Sequence, residues 1–324
     1  MTTIDGQASG RWTAADVPDQ SGRTAVVTGA SGGLGLQTAR VLAGRGATVV
    51  LACRDLGKAE RAAELIRDQA GRDSVAIVHL DLASLASVRE AADGIRAACP
   101  RLDLLINNAA VMAAPYHRTE DGFEVTLATN HLGPFALTGL LLGLLLETPG
   151  SRIVTVSSVG HRDGVMHFDD LQFTRGYNGG HAYEQSKLAN LLFTYELSSR
   201  LQAAGAPTMA LAAHPGVAGS TELWRTSSRF VRVLVSPRMR MINFRLVHSV
   251  ENGALPMLRA ATDPAARGGQ YYGPGGRRGY IGYPVLEESS PQSRSEADQR
   301  RLWQISEELT GVSYSMLAPP RAAS

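Results

Sequence analysis

Cysteine is scarce: Cys53 and Cys99 are the only two in 324 residues. Two thiols cannot build a disulfide framework, and no C-x-x-C pair occurs, so a reducing, cytoplasmic setting is expected. Net charge is scarce too. With 32 Lys and Arg against 30 Asp and Glu the chain carries +2, which gives no electrostatic case for a nucleic-acid partner. The opening stretch, MTTIDGQASGRWTAADVPDQ, lacks the apolar core of a signal peptide. The longest apolar run, residues 132–146 (LGPFALTGLLLGLLL), falls short of the roughly 20 residues that a membrane-spanning helix needs. It is interrupted by Gly133-Pro134 and reads as a helix buried on most of its faces. His79, His117, His131, His161, His167 and His181 show no metal-ligand spacing, so no metal is expected. Internal repeats and low-complexity segments are also missing.

What is present is an alternation. Apolar residues make up 44% and charged residues 19%, the balance of a soluble globular protein. Strand signals at Thr24–Thr28, Ala47–Ala52, Ser74–Leu80, Arg101–Ile106, Ile153–Val156 and Thr208–Ala212 are separated by helical spacing at 33–45, 56–70 and 82–99. Ser84 or Ser87 serves as a cap of the last of these. The strands are continuous apolar runs, which suit a parallel sheet buried on both faces. Strand-helix repetition of this kind predicts a doubly wound α/β fold.

The first strand runs into TGASGGLG, residues 28–35. Gly29, Gly33 and Gly35 make G-x-x-x-G-x-G, a turn whose backbone can approach a pyrophosphate at a helix N-terminus. The same residues fit G-x-S-x-G, the elbow that presents a nucleophilic serine, here Ser31. An elbow needs earlier strands and an HGGG-type segment, and this chain has neither; only His214 offers itself as a base. The dinucleotide reading therefore leads. Where the second strand ends, an acidic residue would bind the ribose 2′-OH of NAD. The chain has Cys53 and Arg54 there, which favours the 2′-phosphate of NADP(H), with NAD(H) still admissible because Asp55 offsets part of the charge.

A second constellation lies at HAYEQSKLANLLFTYEL, residues 181–197. Tyr183 and Lys187 are four apart and share a helix face. An ammonium beside a phenol favours the phenolate and lowers its pKa from near 10. Polar or turn-forming residues mark successive strand ends: Asn107-Asn108-Ala109-Ala110, Ser157-Ser158 and His214-Pro215-Gly216. Side chains alternate along a strand, so only one of the two serines faces a pocket there.

Together with Asp81 in HLDLAS and Asn130 in ATNHLGPF, these segments fall in one order over residues 22–275. In that order the chain resembles the short-chain dehydrogenases/reductases, in their compact single-domain branch. The surrounding LACRD, SSVGHRDG, FDDLQ and AAHPGV look most like its retinol-dehydrogenase-like and protochlorophyllide-reductase-like members. NNAA stands where NNAG is usual, a small change in size.

The resemblance implies a Rossmann fold with a mostly parallel seven-stranded sheet and helices on both faces. It implies Tyr183 as general acid/base, Lys187 as the group that lowers its pKa and binds the nicotinamide ribose, and Ser158 as the hydroxyl on the substrate oxygen. Ser157 would pack, and Asn130 would hold a water in a proton relay. Implied cofactor contacts are Gly29, Ser31, Gly33, Leu34, Gly35, Arg54, Asp81, Leu82, Asn108, Ala109, Tyr183, Lys187, Pro215, Gly216, Val217 and Ser220.

The resulting expectation is an NADP(H)-dependent oxidoreductase that interconverts a carbonyl and an alcohol. Residues 1–20 are expected as a flexible arm, 21–285 as the dehydrogenase domain and 286–324 as a C-terminal helix and tail. Residues 222–248 are basic and apolar together and suit a lid over an apolar, moderately large substrate, or a surface that touches a partner or a membrane. A catalytically silent NADP-binding regulator is the main alternative, and an epimerase or dehydratase a further one. A homodimer paired through helices near 130–147 and 181–204 and a monomer whose C-terminal segment blocks that pairing both fit.

Overall fold

The computed structural model describes residues 11–112, 114–217 and 249–317. Six β-branched and aliphatic runs line up as a parallel core: β1 Thr24–Thr28, β2 Thr48–Cys53, β3 Val75–His79, β4 Leu104–Asn107, β5 Arg152–Val156 and β6 Met209–Ala213. Two further strands, β7 Tyr271–Pro274 and β8 Pro284–Leu286, complete one sheet of order β3-β2-β1-β4-β5-β6-β7-β8. The expected sheet had seven strands; the eighth is β8, which pairs antiparallel with β7. It is short and begins with a proline, which a sheet tolerates at an edge. Every residue of β1 is buried, as a central parallel strand under helices on both faces requires. Chain order reverses between β1 and β4, so their carboxyl ends diverge and open a crevice.

Helices α1 Gly33–Gly44, α2 Leu56–Ala70 and α3 Leu85–Ala98 follow the first three strands. Ser84 is the N-cap of α3 and accepts the Ser87 N–H, while the Ser87 hydroxyl takes the Asp81 N–H at 2.9 Å. The apolar run expected from 132 begins earlier. A short α4 Val125–Leu127, a π-helical segment Ala128–Leu132 and α5 Gly133–Leu146 form one continuous helix of 22 residues, most of it buried within the protein. Pro134 does not break it, because the turn before it is π-helical: the Gly133 N–H donates to the Ala128 carbonyl five residues back, and the strained i−4 register is avoided next to the proline. By length and composition this helix could span a membrane, but its apolar faces are spent on the core. Phe135 at its start is 0% exposed, a burial that contributes about 1.5–3 kcal/mol.

Helix α6 Gly179–Ala203 packs beside α4 and the π-helical segment, α7 Val250–Thr262 covers the opposite face against α1, and α8 Glu296–Thr310 docks on α6. Trp303 of α8 stacks on Phe193 of α6, and Tyr314 donates to the Phe135 carbonyl at 2.7 Å. The C-terminal segment is thus built into the core on the α5 and α6 side of the sheet. Residues 11–20, expected as part of a loose arm, also pack. Thr13 and Asp16 close a capping box, Val17 is 1% exposed, and Arg45 donates to the Ala14 and Ala15 carbonyls. The proposed lid at 222–248, and Ser220 before it, lie outside the described residues.

Candidate active site

A cleft of about 430 Å³ follows the carboxyl ends of the strands from β2 to β6. Its floor is the glycine turn: Gly29, Ser31, Gly32, Gly33, Leu34 and Gly35 all line it. Gly29 has φ +65 and lies against Ala109. A Cβ on Gly35 would stand 2.5 Å from the Gly29 carbonyl oxygen and 2.6 Å from Asn108 Nδ2. The N-cap of α1 is Gly32, which has no side chain to offer the first N–H groups. Those donors and the positive end of the helix dipole face the cleft, a ready site for an anion. Thr28 braces the divergence of β1 and β4: its Oγ1 accepts the N–H groups of Asn108 and Ala109 at 3.0 Å, and Asn108 Nδ2 donates to its carbonyl at 2.8 Å.

At the β2 end the wall comprises Cys53, Arg54, Asp55, Lys58, Leu80, Asp81 and Leu82. Arg54 is exposed. Asp55 caps α2 by accepting the Lys58 N–H at 2.9 Å, so its carboxylate is committed to the helix. Lys58 is a second cation on this wall that the sequence reading missed, although Arg54 and Lys58 have the four-residue spacing that brings side chains together. Asp81 accepts the Ala83 N–H at 2.9 Å, which fixes the turn after β3. Charge, free helix N–H groups and space along the strand ends fit an elongated, doubly anionic dinucleotide.

The other end is drier. Tyr183 and Lys187 project from α6 into the cleft, and Pro215 closes it beyond β6. Lys187 is 2% exposed and donates to the Val156 carbonyl at 3.1 Å. Burial pulls its pKa down to about 7. Burial also pushes the Tyr183 phenol above its usual value, opposed by a hydrogen bond from the Ser158 hydroxyl. The Lys187 Nζ stands 5.6 Å from the Tyr183 ring centroid. Ser157 lines the wall but turns its hydroxyl to the Lys187 carbonyl at 2.8 Å; Ser158 accepts the Gly160 N–H and caps a 3-10 turn, Val159–Arg162.

Asn130 sits in the π-helical segment, 0% exposed. Its carboxamide is committed: Oδ1 accepts the Val111 N–H at 2.8 Å, and Nδ2 donates to the Val111 carbonyl and Ser186 Oγ, both at 2.9 Å. Its backbone carbonyl has no α-helical donor, because residue 134 is proline.

Gly216 and Val217 stand beside the cleft without lining it. Gly216 has φ +69, and the Val217 N–H donates to the Tyr280 carbonyl at 3.0 Å. His214 cannot serve Ser31 as a base. It is 0% exposed, its Nδ1 accepts the Gly216 N–H at 3.2 Å, and its Nε2 meets Glu287 at 3.1 Å. No group of His, Cys, Asp and Glu among the described residues could hold a metal ion.

Comparison with known proteins agrees with this architecture. A family model described as short chain dehydrogenase matches residues 23–230. Human retinol dehydrogenase 13 is 45% identical over 296 residues, covering 90% of this chain and 85% of that protein. Human retinol dehydrogenase 12 is 42% identical over 297 residues, covering 90% and 88%. An uncharacterized protein from Mycobacterium paratuberculosis, known from its crystal structure, aligns with a TM-score of 0.77 at 43% identity, covering 94% of this chain and 99% of that one. The chain belongs to the short-chain dehydrogenase/reductase family, whose members are oxidoreductases that bind NAD(P), and within it is retinol-dehydrogenase-like.

Proposed function

We propose that this family member is an NADP(H)-dependent oxidoreductase that interconverts an aldehyde or ketone and an alcohol on an apolar, moderately large substrate. One observation carries the reading. A single cleft joins Arg54 and Lys58 at one end to Tyr183 and Lys187 at the other, with the glycine turn between them. Arg54 and Lys58 would take the 2′-phosphate, the α1 N-terminus the pyrophosphate, and Lys187 the ribose next to the nicotinamide. When bound, the nicotinamide supplies or accepts the hydride. Ser158 holds the substrate oxygen, and Tyr183 gives it a proton in reduction or takes one in oxidation. Lys187 relays the proton between Tyr183 and a water held by the Asn130 carbonyl, toward Tyr183 in reduction and away from it in oxidation. Retinoid-like, steroid-like and lipid aldehydes are the proposed substrates, supported by the retinol dehydrogenase relatives.

A monomer is the proposed state, supported by the packing of α8 and Tyr314 against α6 and α5, the helices through which a pair would form. Both thiols are free and buried, which suits a reducing, cytoplasmic compartment. The functional reading is tested by titrating the protein with NADPH and NADH, then following NADPH oxidation with all-trans-retinaldehyde and with small polar sugars. Tight NADPH binding and turnover of retinaldehyde alone support it. A preference for NADH removes the role of Arg54, and turnover of sugars alone removes the apolar substrate.

A further inference from the structure

A single 3-10 turn does not hold a catalytic side chain by itself, and Ser158 caps only such a turn. What fixes it comes from far along the chain. The ring of His161 is 0% exposed, and its Nδ1 lies 2.6 Å from the Ser158 carbonyl oxygen. A carbonyl only accepts, so Nδ1 carries the proton. Nε2 is then an acceptor, and it takes the N–H of Ser290 at 3.1 Å, a contact spanning 129 residues. Tyr271 of β7 closes the ring edge-on at 5.6 Å. Burial keeps the imidazole neutral, with a pKa of about 4.

The same segment behind β8 reaches the opposite wall. Glu287 meets His214 Nε2 at 3.1 Å and Arg162 at 3.4 Å, while His214 Nδ1 holds the Gly216 N–H. Residues 287–290 therefore fasten the serine turn and the loop after β6 to each other.

We infer that His161 is a positioning residue: by donating to the Ser158 carbonyl while accepting from Ser290, it aims the Ser158 hydroxyl at Tyr183 and makes the segment behind β8 part of the active-site scaffold. The inference rests on Ser158 as the hydroxyl that binds the substrate oxygen. His161 moves no proton, since both of its nitrogens are committed. The two contacts are separable. An asparagine amide reaches the Nδ1 position and keeps the bond to Ser158; a glutamine amide reaches the Nε2 position and keeps only the bond to Ser290.

The test follows NADPH oxidation by the full chain with all-trans-retinaldehyde. His161→Gln is expected to lower kcat by about 100-fold, the scale of a misaligned reacting group, with the Kd for NADPH unchanged. His161→Asn is expected to recover most of that loss. In a Ser158→Ala background, His161→Gln is expected to add nothing, as for two groups acting as a unit. Equal losses in the Asn and Gln variants, or a full additional loss in the Ser158→Ala background, overturn the inference. If Ser158→Ala by itself leaves kcat intact, the assignment of Ser158 fails, a result distinct from an additive cycle. Nitrogen-15 NMR of the ring, assigned by its loss in His161→Asn, checks the inference without turnover. The expected form is neutral and protonated at Nδ1. Protonation at Nε2 contradicts it.

Discussion

At the β2 end, the cleft is lined by the backbone of the glycine turn and by exposed charge such as Arg54. At the β5–β6 end Tyr183 and Lys187 line it, backed by side chains withdrawn from water: Lys187 itself is 2% exposed, and Asn130 and His161 behind the wall are 0% exposed. The first end costs the fold little, because its charges stay solvated and its turn needs only small residues. The second is expensive. Taking an amine or an imidazole out of water moves its pKa by units, and every polar atom left inside needs a partner. An anchor for phosphate can be made from backbone; a proton-transfer site cannot, and its polar groups are held by one another.

The contrast breaks most visibly at Gly35. Gly35→Val drives a side chain into the Gly29 carbonyl and Asn108 amide that a Cβ already crowds at 2.5 and 2.6 Å. Isothermal titration is expected to show no NADPH binding. Lys187→Met at the other end is expected to lower kcat by about 10²–10⁴-fold while the protein becomes more stable at pH 7. The sign follows from linkage. Folded Lys187 loses its proton near 7 and unfolded lysine near 10.5, so the unfolded chain binds more protons between those values and stability rises with pH across them. Urea unfolding at several pH values should show that rise in the wild type and its loss in Lys187→Met.

His131 sharpens the comparison on the acid side. Its Nε2 donates to Ser306 Oγ of α8 at 2.8 Å, the serine proton being given to the Leu302 carbonyl, and burial holds its pKa at about 4 against 6.5. The unfolded chain binds the extra proton between those values, so stability falls as pH drops from 6.5 to 4, by about 3 kcal/mol from this residue. Thermal unfolding of His131→Leu should follow a flatter acid profile than the wild type. The smallest effect belongs to exposed charge. Arg54→Ala is expected to weaken NADPH about tenfold, leave NADH unchanged, and lose most of its effect in high salt, as fluorescence titration would read.

The same division decides how much was legible beforehand. The glycine turn, the Tyr183–Lys187 spacing and the polar strand ends are local patterns, and each falls where the fold places it along the crevice. Thr13 and Asp16 also carried a local signal, the four-residue capping box, that a reading of residues 1–20 as an arm passed over. His161 with Ser290, and His214 with Glu287, join residues 129 and 73 apart, and no periodicity links such pairs. The eighth strand has three residues, one of them proline, too few for a strand signal. The shift of Lys187 arises from what surrounds it in space, which its neighbours in sequence do not report.

The measurement to make first is a single-turnover reduction of all-trans-retinaldehyde by NADPH with the wild type and Tyr183→Phe, with the Kd for NADPH read on the same samples. Unchanged binding together with a rate lower by about 10²–10⁴-fold is the expected result, because removing one hydroxyl takes away the proton and leaves the β2 end untouched. A Tyr183→Phe protein that binds NADPH and reduces the aldehyde at the wild-type rate would contradict the proton-transfer role given to this end of the cleft.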